Sequence, residues 1–113
     1  MTDSDRSLRL VLSTIPEESA AAFVRDLVER RLIACGNIVP RVTSIYRWKG
    51  AIMEDTEAML WMETTADRVP ALRSAFAAAH PYDVSKFLEL TPSECTGPFA
   101  AWVSEATVAE PSS

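Results

Sequence analysis

The sequence predicts an α+β fold, an antiparallel sheet with two helices on one face and a short helix near the end of the chain. Three observations lead there. Short β-compatible runs are separated by two stretches of helical period. Prolines and glycines punctuate the joins. The resulting order is β-α-β-β-α-β followed by one more helix. At 113 residues, 48% of them hydrophobic, the chain is expected to form a single domain over 1–113, ordered over about 7–107.

Taken in order, LRLVLST (8–14) is a first strand, stopped by Pro16. A helix follows. Thr14 is its candidate cap, Glu17 and Glu18 occupy the first turn, and Arg30 and Arg31 the last, as the helix dipole prefers. Ala20, Val24, Leu27 and Val28 form its apolar stripe, widened by Phe23 and Leu32. IACGNIV (33–39) is a second apolar run, closed by Pro40. VTSIYRWKGAIMEDTEAMLWMETT (42–65) suits two long strands with Lys49-Gly50 between them. Lys-Gly is a weaker turn signal than Asn-Gly, so a hairpin and a bent strand pair both remain open.

The second helix lies within 65–81 and starts near Asp67, capped by Thr65 or Asp67, with Pro70 in its first turn. Val69, Leu72, Phe76 and Ala79 make its buried stripe, and Pro81 ends it at His80. DVSKFLEL (83–90) reads as a strand and TPSECTGP (91–98) as a turn-rich linker. FAAWVSEAT (99–107) is a short helix with Phe99, Trp102 and Val103 on one side, and VAEPSS is expected to fray. This order is the split βαβ, ferredoxin-like arrangement, and right-handed crossovers put both long helices on one face.

One feature exceeds what a lone subunit needs. Met59, Leu60, Trp61 and Met62 are consecutive, so they point to both faces of the sheet. A sheet with helices on one face should be polar on the other. Tyr46 and Trp48 add to the surplus, and the sequence therefore predicts a homo-oligomer.

Several function classes are disfavoured. A net charge of −5 offers no basic stripe for nucleic acid or an anionic membrane. No apolar run approaches the roughly 18 residues of a membrane span, and MTDSDRSLRL does not read as a signal peptide. Cys35 and Cys95 lack zinc-site spacing, which suggests two reduced thiols and a cytoplasmic protein. GxSxG, HExxH and P-loop motifs are absent, so no catalytic residue is assigned and no enzyme is expected.

His80 is the sole histidine. It reads either as an imidazole ligand for Cu(II), Ni(II) or Zn(II) near Asp83, or as a helix-end residue bonded to a carbonyl, and the second is the commoner case. Cys35 is a soft ligand or, more often in such a run, a small core hydrophobe. Glu54, Asp55 and Glu57 lack calcium-loop spacing and read as a solvated strand end, with Glu54 and Asp55 on opposite faces.

The segments ERRLIACGNIVPRVTSIYRWKGAIMEDTEAMLWMETT, HPYDV and AAWV together resemble the CutA family of divalent-cation tolerance proteins, over about Leu10 to Glu105. The resemblance implies a ferredoxin-like subunit in a tight homotrimer shaped like the PII signalling proteins, with strands pairing between neighbours. It implies a copper site built from a cysteine at the end of the first strand and histidines before PY. Those places hold Ser13, Ala79 and His80 here. Glu63 stands where the family commonly has lysine, and Ser85 and Lys86 replace a proline and a glutamate. Two functions follow as expectations. One is a cation-tolerance trimer binding Cu(II) or another divalent cation weakly through His80, Asp83 and Cys35, with no obligatory cofactor. The other is a PII-like module whose inter-subunit cleft, lined by Arg47, Trp48, His80 and Tyr82, takes a small molecule or a partner protein.

Overall fold

Strand alternation and one glycine decide how the layers meet. In the computed structural model, which describes residues 5–109, the chain runs β1 (Leu8–Ile15), α1 (Glu17–Glu29), β2 (Cys35–Trp48), β3 (Ala51–Thr65), a 3-10 turn (Ala66–Arg68), α2 (Val69–Ala79), β4 (Leu88–Leu90) and α3 (Gly97–Ala106). The first residues of the run read as lacking a signal peptide, 1–4, and the end of the tail expected to fray, 110–113, lie outside the described residues. The four strands pair antiparallel in the order β2-β3-β1-β4.

On one face of the sheet Val11 and Ile15 of β1 and Ala58, Leu60 and Met62 of β3 are buried. They pack with Val24 and Leu27 of α1 and Leu72 and Phe76 of α2 in one core. Gly36 lets α1 come close: a Cβ there would lie 2.5 Å from Val24 Cγ1. The other face carries Leu12, Leu88, Leu90 and Trp61, aligned by the β1–β3 and β1–β4 registers. α3 reaches it at the Thr65 end, where the Thr65 and Thr107 hydroxyls are 3.4 Å apart.

Several boundaries differ from the sequence reading. Residues 35–48 form one strand, not two runs, because Pro40 sits in a bulge between Val39 and Val42, where its missing N–H costs no ladder bond. Lys49 and Gly50 turn a hairpin, both at positive φ (49° and 83°), which matches the twist of the strands. Thr14 caps nothing; it stays in β1, and α1 begins after Pro16 without a side-chain cap. The helix ends before Arg30 and Arg31, so its last turn holds no basic residue. Ala79 is exposed and Ala75 takes its expected place against the core. β4 is only three residues long, since the segment before it leaves the sheet edge, with Asp83, Val84 and Lys86 walling a cleft and Phe87 packing on the core. α3 starts at Gly97, two residues early, with Pro98 in its first turn, where proline is tolerated.

The β2–β3 hairpin extends well beyond the core. Ile45 and Ile52 near its end are 66% and 62% exposed, and the molecule measures 48 × 34 × 25 Å.

Candidate functional site

Beyond the bulge, the hairpin register sets Val42 against Glu57, Ser44 against Asp55, Tyr46 against Met53 and Trp48 against Ala51. Alternation puts Ser44, Tyr46, Trp48, Asp55 and Glu57 on one side. Opposite them, Pro81 forbids helix at His80, whose backbone is extended (φ −70°, ψ 134°), and the chain folds back. Between hairpin and returning segment lies a cleft of about 640 Å³, lined among others by Tyr46, Trp48, Asp55, Glu57, Tyr82 and Lys86.

Two phenol–carboxylate pairs organise its walls. The Tyr82 O–H donates to Glu57 Oε1 at 2.7 Å, and the Tyr46 O–H donates to Asp55. Glu57 is 6% exposed. Burial, and then the neighbouring Glu57, push the Tyr82 phenol far above its ordinary pKa, so it remains a donor at any physiological pH. Tyr46 is raised as well, first by its hydrogen bond to Asp55. Both rings therefore present fixed O–H groups to anionic oxygens.

His80 sits beside the cleft, enclosed by rings. Its centroid is 5.6 Å from those of Phe23 and Phe76 and 5.1 Å from that of Tyr82. Nε2 lies 2.9 Å from the Thr14 carbonyl, and the Tyr82 backbone N–H donates to Nδ1 at 3.2 Å. A carbonyl only accepts and an amide N–H only donates, so the ring is neutral with its proton on Nε2. Burial holds its pKa below 6.5. Neither nitrogen keeps a lone pair for a metal while these bonds stand. Ser13 Oγ lies 3.5 Å from Nε2, at the edge of hydrogen-bond range.

Cys35 lies elsewhere. It is half-buried and faces the side of the sheet away from α1, because Gly36 occupies the inward position. This differs from the core packing expected of it. Its partner across the strands is Glu63, four positions along β3 from the Met59 that faces Thr14, a separation of roughly 13 Å. Cys35 thus stands away from His80. The carboxylate pushes the thiol up, after burial, and burial raises Glu63 in turn. Glu63 is 7% exposed, and its Oε1 has no hydrogen-bond partner among the described residues.

Of the residues singled out by sequence, Trp48, Tyr82 and Asp83 line the cleft. Arg47 does not. Alternation turns it to the opposite side of the hairpin, where Nη1 lies 3.5 Å from the Gly50 carbonyl. His80, Asp83 and Cys35 form no ligand set, and among the described residues no three His, Cys, Asp or Glu side chains are placed to hold a metal. The donors present in one subunit do not fit a Cu(II) site. Sequence reasoning missed Tyr46, Asp55 and Glu57 as cleft residues. The available signal was the two-residue spacing of Asp55 and Glu57, which puts both carboxylates on one side of a strand.

Residues 9–106 match the family model described as CutA1 divalent ion tolerance protein. A divalent-cation tolerance protein CutA of Thermus thermophilus is 43% identical over 99 residues, covering 87% of this chain and 96% of that protein. A protein CutA homolog of Xenopus laevis is 39% identical over 100 residues, covering 88% and 66%. The chain spans 58% of the length of protein CutA of Mus musculus, with 38% identity over 102 residues. Among solved structures, the Thermus thermophilus divalent cation tolerance protein superposes with a TM-score of 0.85 at 42% identity, covering 89% of this chain and 99% of that one. A PII-like protein CutA from Nostoc superposes with a TM-score of 0.85 at 27% identity, covering 90% and 99%.

Proposed function

The chain belongs to the CutA1 divalent ion tolerance family, and from that premise we propose that it works as a homotrimer whose cleft between the β2–β3 hairpin and the 81–86 segment holds a small ligand. It serves divalent-cation tolerance, the role for which its Thermus relative is named, by binding rather than by catalysis. No metal is obligatory. The protein acts in the cytoplasm, and no described helix is long and apolar enough to cross a membrane.

The observation that carries this reading is the commitment of both His80 nitrogens to backbone groups. It makes His80 a strut that fixes the cleft wall. The walls themselves offer paired phenols and carboxylates around an accessible space. A trimer is supported by the apolar open face of the sheet and the projecting hairpin, both of which need cover.

A Cu(II) competition titration of wild type beside His80→Ala tests it. The expected result is weak binding that the substitution leaves unchanged. Tight stoichiometric binding that is lost in His80→Ala would return the function to a histidine-centred metal site.

A further inference from the structure

We propose that the ligand of the cleft is a small organic cation, an alkylammonium in chemical class. The inference rests on the cleft being the working site and names what it would take.

Charge is the first argument. The lining holds the carboxylates of Asp55, Glu57 and Asp83 against the single ammonium of Lys86. Among the described residues no arginine lines it, and Arg47 is turned away toward Gly50. A concave site with low-dielectric walls and an excess of one sign concentrates the opposite ion. It disfavours phosphates and carboxylates as ligands.

Ring chemistry is the second. Tyr46, Trp48 and Tyr82 all face the space, and an ammonium is attracted to aromatic faces when its water is stripped away. The chain already shows this attraction, because Lys49 Nζ lies 5.9 Å from the centre of the Trp48 ring. A bare metal ion would gain little from these rings. It needs several oxygen donors, whereas each phenol here spends its O–H on a carboxylate. An alkylammonium uses both features, with its head against Asp55 and Glu57 and its chain over the aromatic wall.

The third argument is preorganisation. Glu57 is nearly fully buried yet held by Tyr82, and Asp55 is held by Tyr46, so both charges are oriented before any ligand arrives. Less ordering remains to be done on binding.

The test is a set of NMR titrations of the full chain with four matched probes: butylammonium, butanol, butyrate and magnesium chloride. Butylammonium is expected to shift the amide signals of Tyr46 and Tyr82 and the indole signal of Trp48, while butanol and butyrate leave them in place. Asp55→Asn and Glu57→Gln should each weaken it about tenfold, as loss of a charge-assisted hydrogen bond does. Asp55 is exposed, so its variant tests the idea even if Glu57→Gln folds poorly. Butanol or butyrate binding as well as butylammonium would overturn the cation inference and leave the cleft reading standing. So would magnesium binding more tightly, or an affinity unchanged by Asp55→Asn. Silence of the cleft toward all four probes would overturn the inference and the cleft reading together.

Discussion

Leu60 and Trp61 are neighbours in one strand, yet Leu60 is completely buried and Trp61 is 42% exposed. Leu60 points at α1 and α2, which close the core over it, whereas Trp61 points at the opposite face, which α3 meets at one end. A second contrast separates two carboxylates that share the Trp61 side of β3. Glu57 has its Tyr82 hydroxyl, while Glu63 has an oxygen with no partner among the described residues. The covered face is closed within a single chain. The open face exposes apolar side chains and carries a buried carboxylate oxygen without a partner among the described residues, and it is the surface on which the proposed trimer would form.

Substitutions can break or sharpen this contrast. The largest effect is expected from Leu60→Ala, about 2–5 kcal/mol of lost stability in urea unfolding, since the cavity opens in a closed core. A smaller loss would mean that the covered face is loosely packed. Gly36→Ala should cost about 1–3 kcal/mol, because the added Cβ meets the stiff Val24 side chain at 2.5 Å and α1 must move. Tyr82→Phe should cost about 1–3 kcal/mol by leaving a buried Glu57 oxygen without its donor. An unchanged midpoint would detach Tyr82 from Glu57.

Glu63 tests the open face, with the opposite sign. Its folded pKa lies above 4.5, so the folded state holds the proton more tightly than the unfolded one. Stability from this group is therefore gained as pH falls through the folded value toward 4.5, and the penalty is full above it. Glu63→Gln should raise stability at pH 7 by about 1 kcal/mol, and the difference between the two proteins should shrink as pH falls through that range. Equal stability at every pH would mean that the carboxylate has a donor from another subunit. The smallest effect on the subunit fold is expected from Trp61→Glu. Circular dichroism should be nearly unchanged while light scattering shows a lower mass. A variant that stays assembled would move the subunit interface off this face.

Much of the fold was legible because its signals are local. Pro16 and Pro81 mark element ends through their own backbone chemistry, and the Val24–Leu27 and Leu72–Phe76 spacings mark buried helix faces. The run Met59–Met62 disclosed a two-faced strand for the same reason. The copper expectation attached to His80 came through resemblance and chemical type. What it lacked was the identity of the groups touching the ring, Thr14 and Tyr82, of which the first is distant in sequence. Glu57 was read as solvated because nothing local announces that Tyr82 will close over it.

The sequence by itself determined the element order, the family, the two-sided character of β3 and the surplus of apolar surface. Each is written in spacing, composition or backbone restriction within a few residues. Only the tertiary structure decided that Lys49 and Gly50 close a hairpin, that Arg47 turns away from the cleft, that Cys35 and His80 stand apart, and that Glu63 is buried without a full set of partners. Those outcomes depend on strand register and on side chains meeting across long separations in the chain. A single residue's chemistry does not specify which neighbour will use its lone pairs.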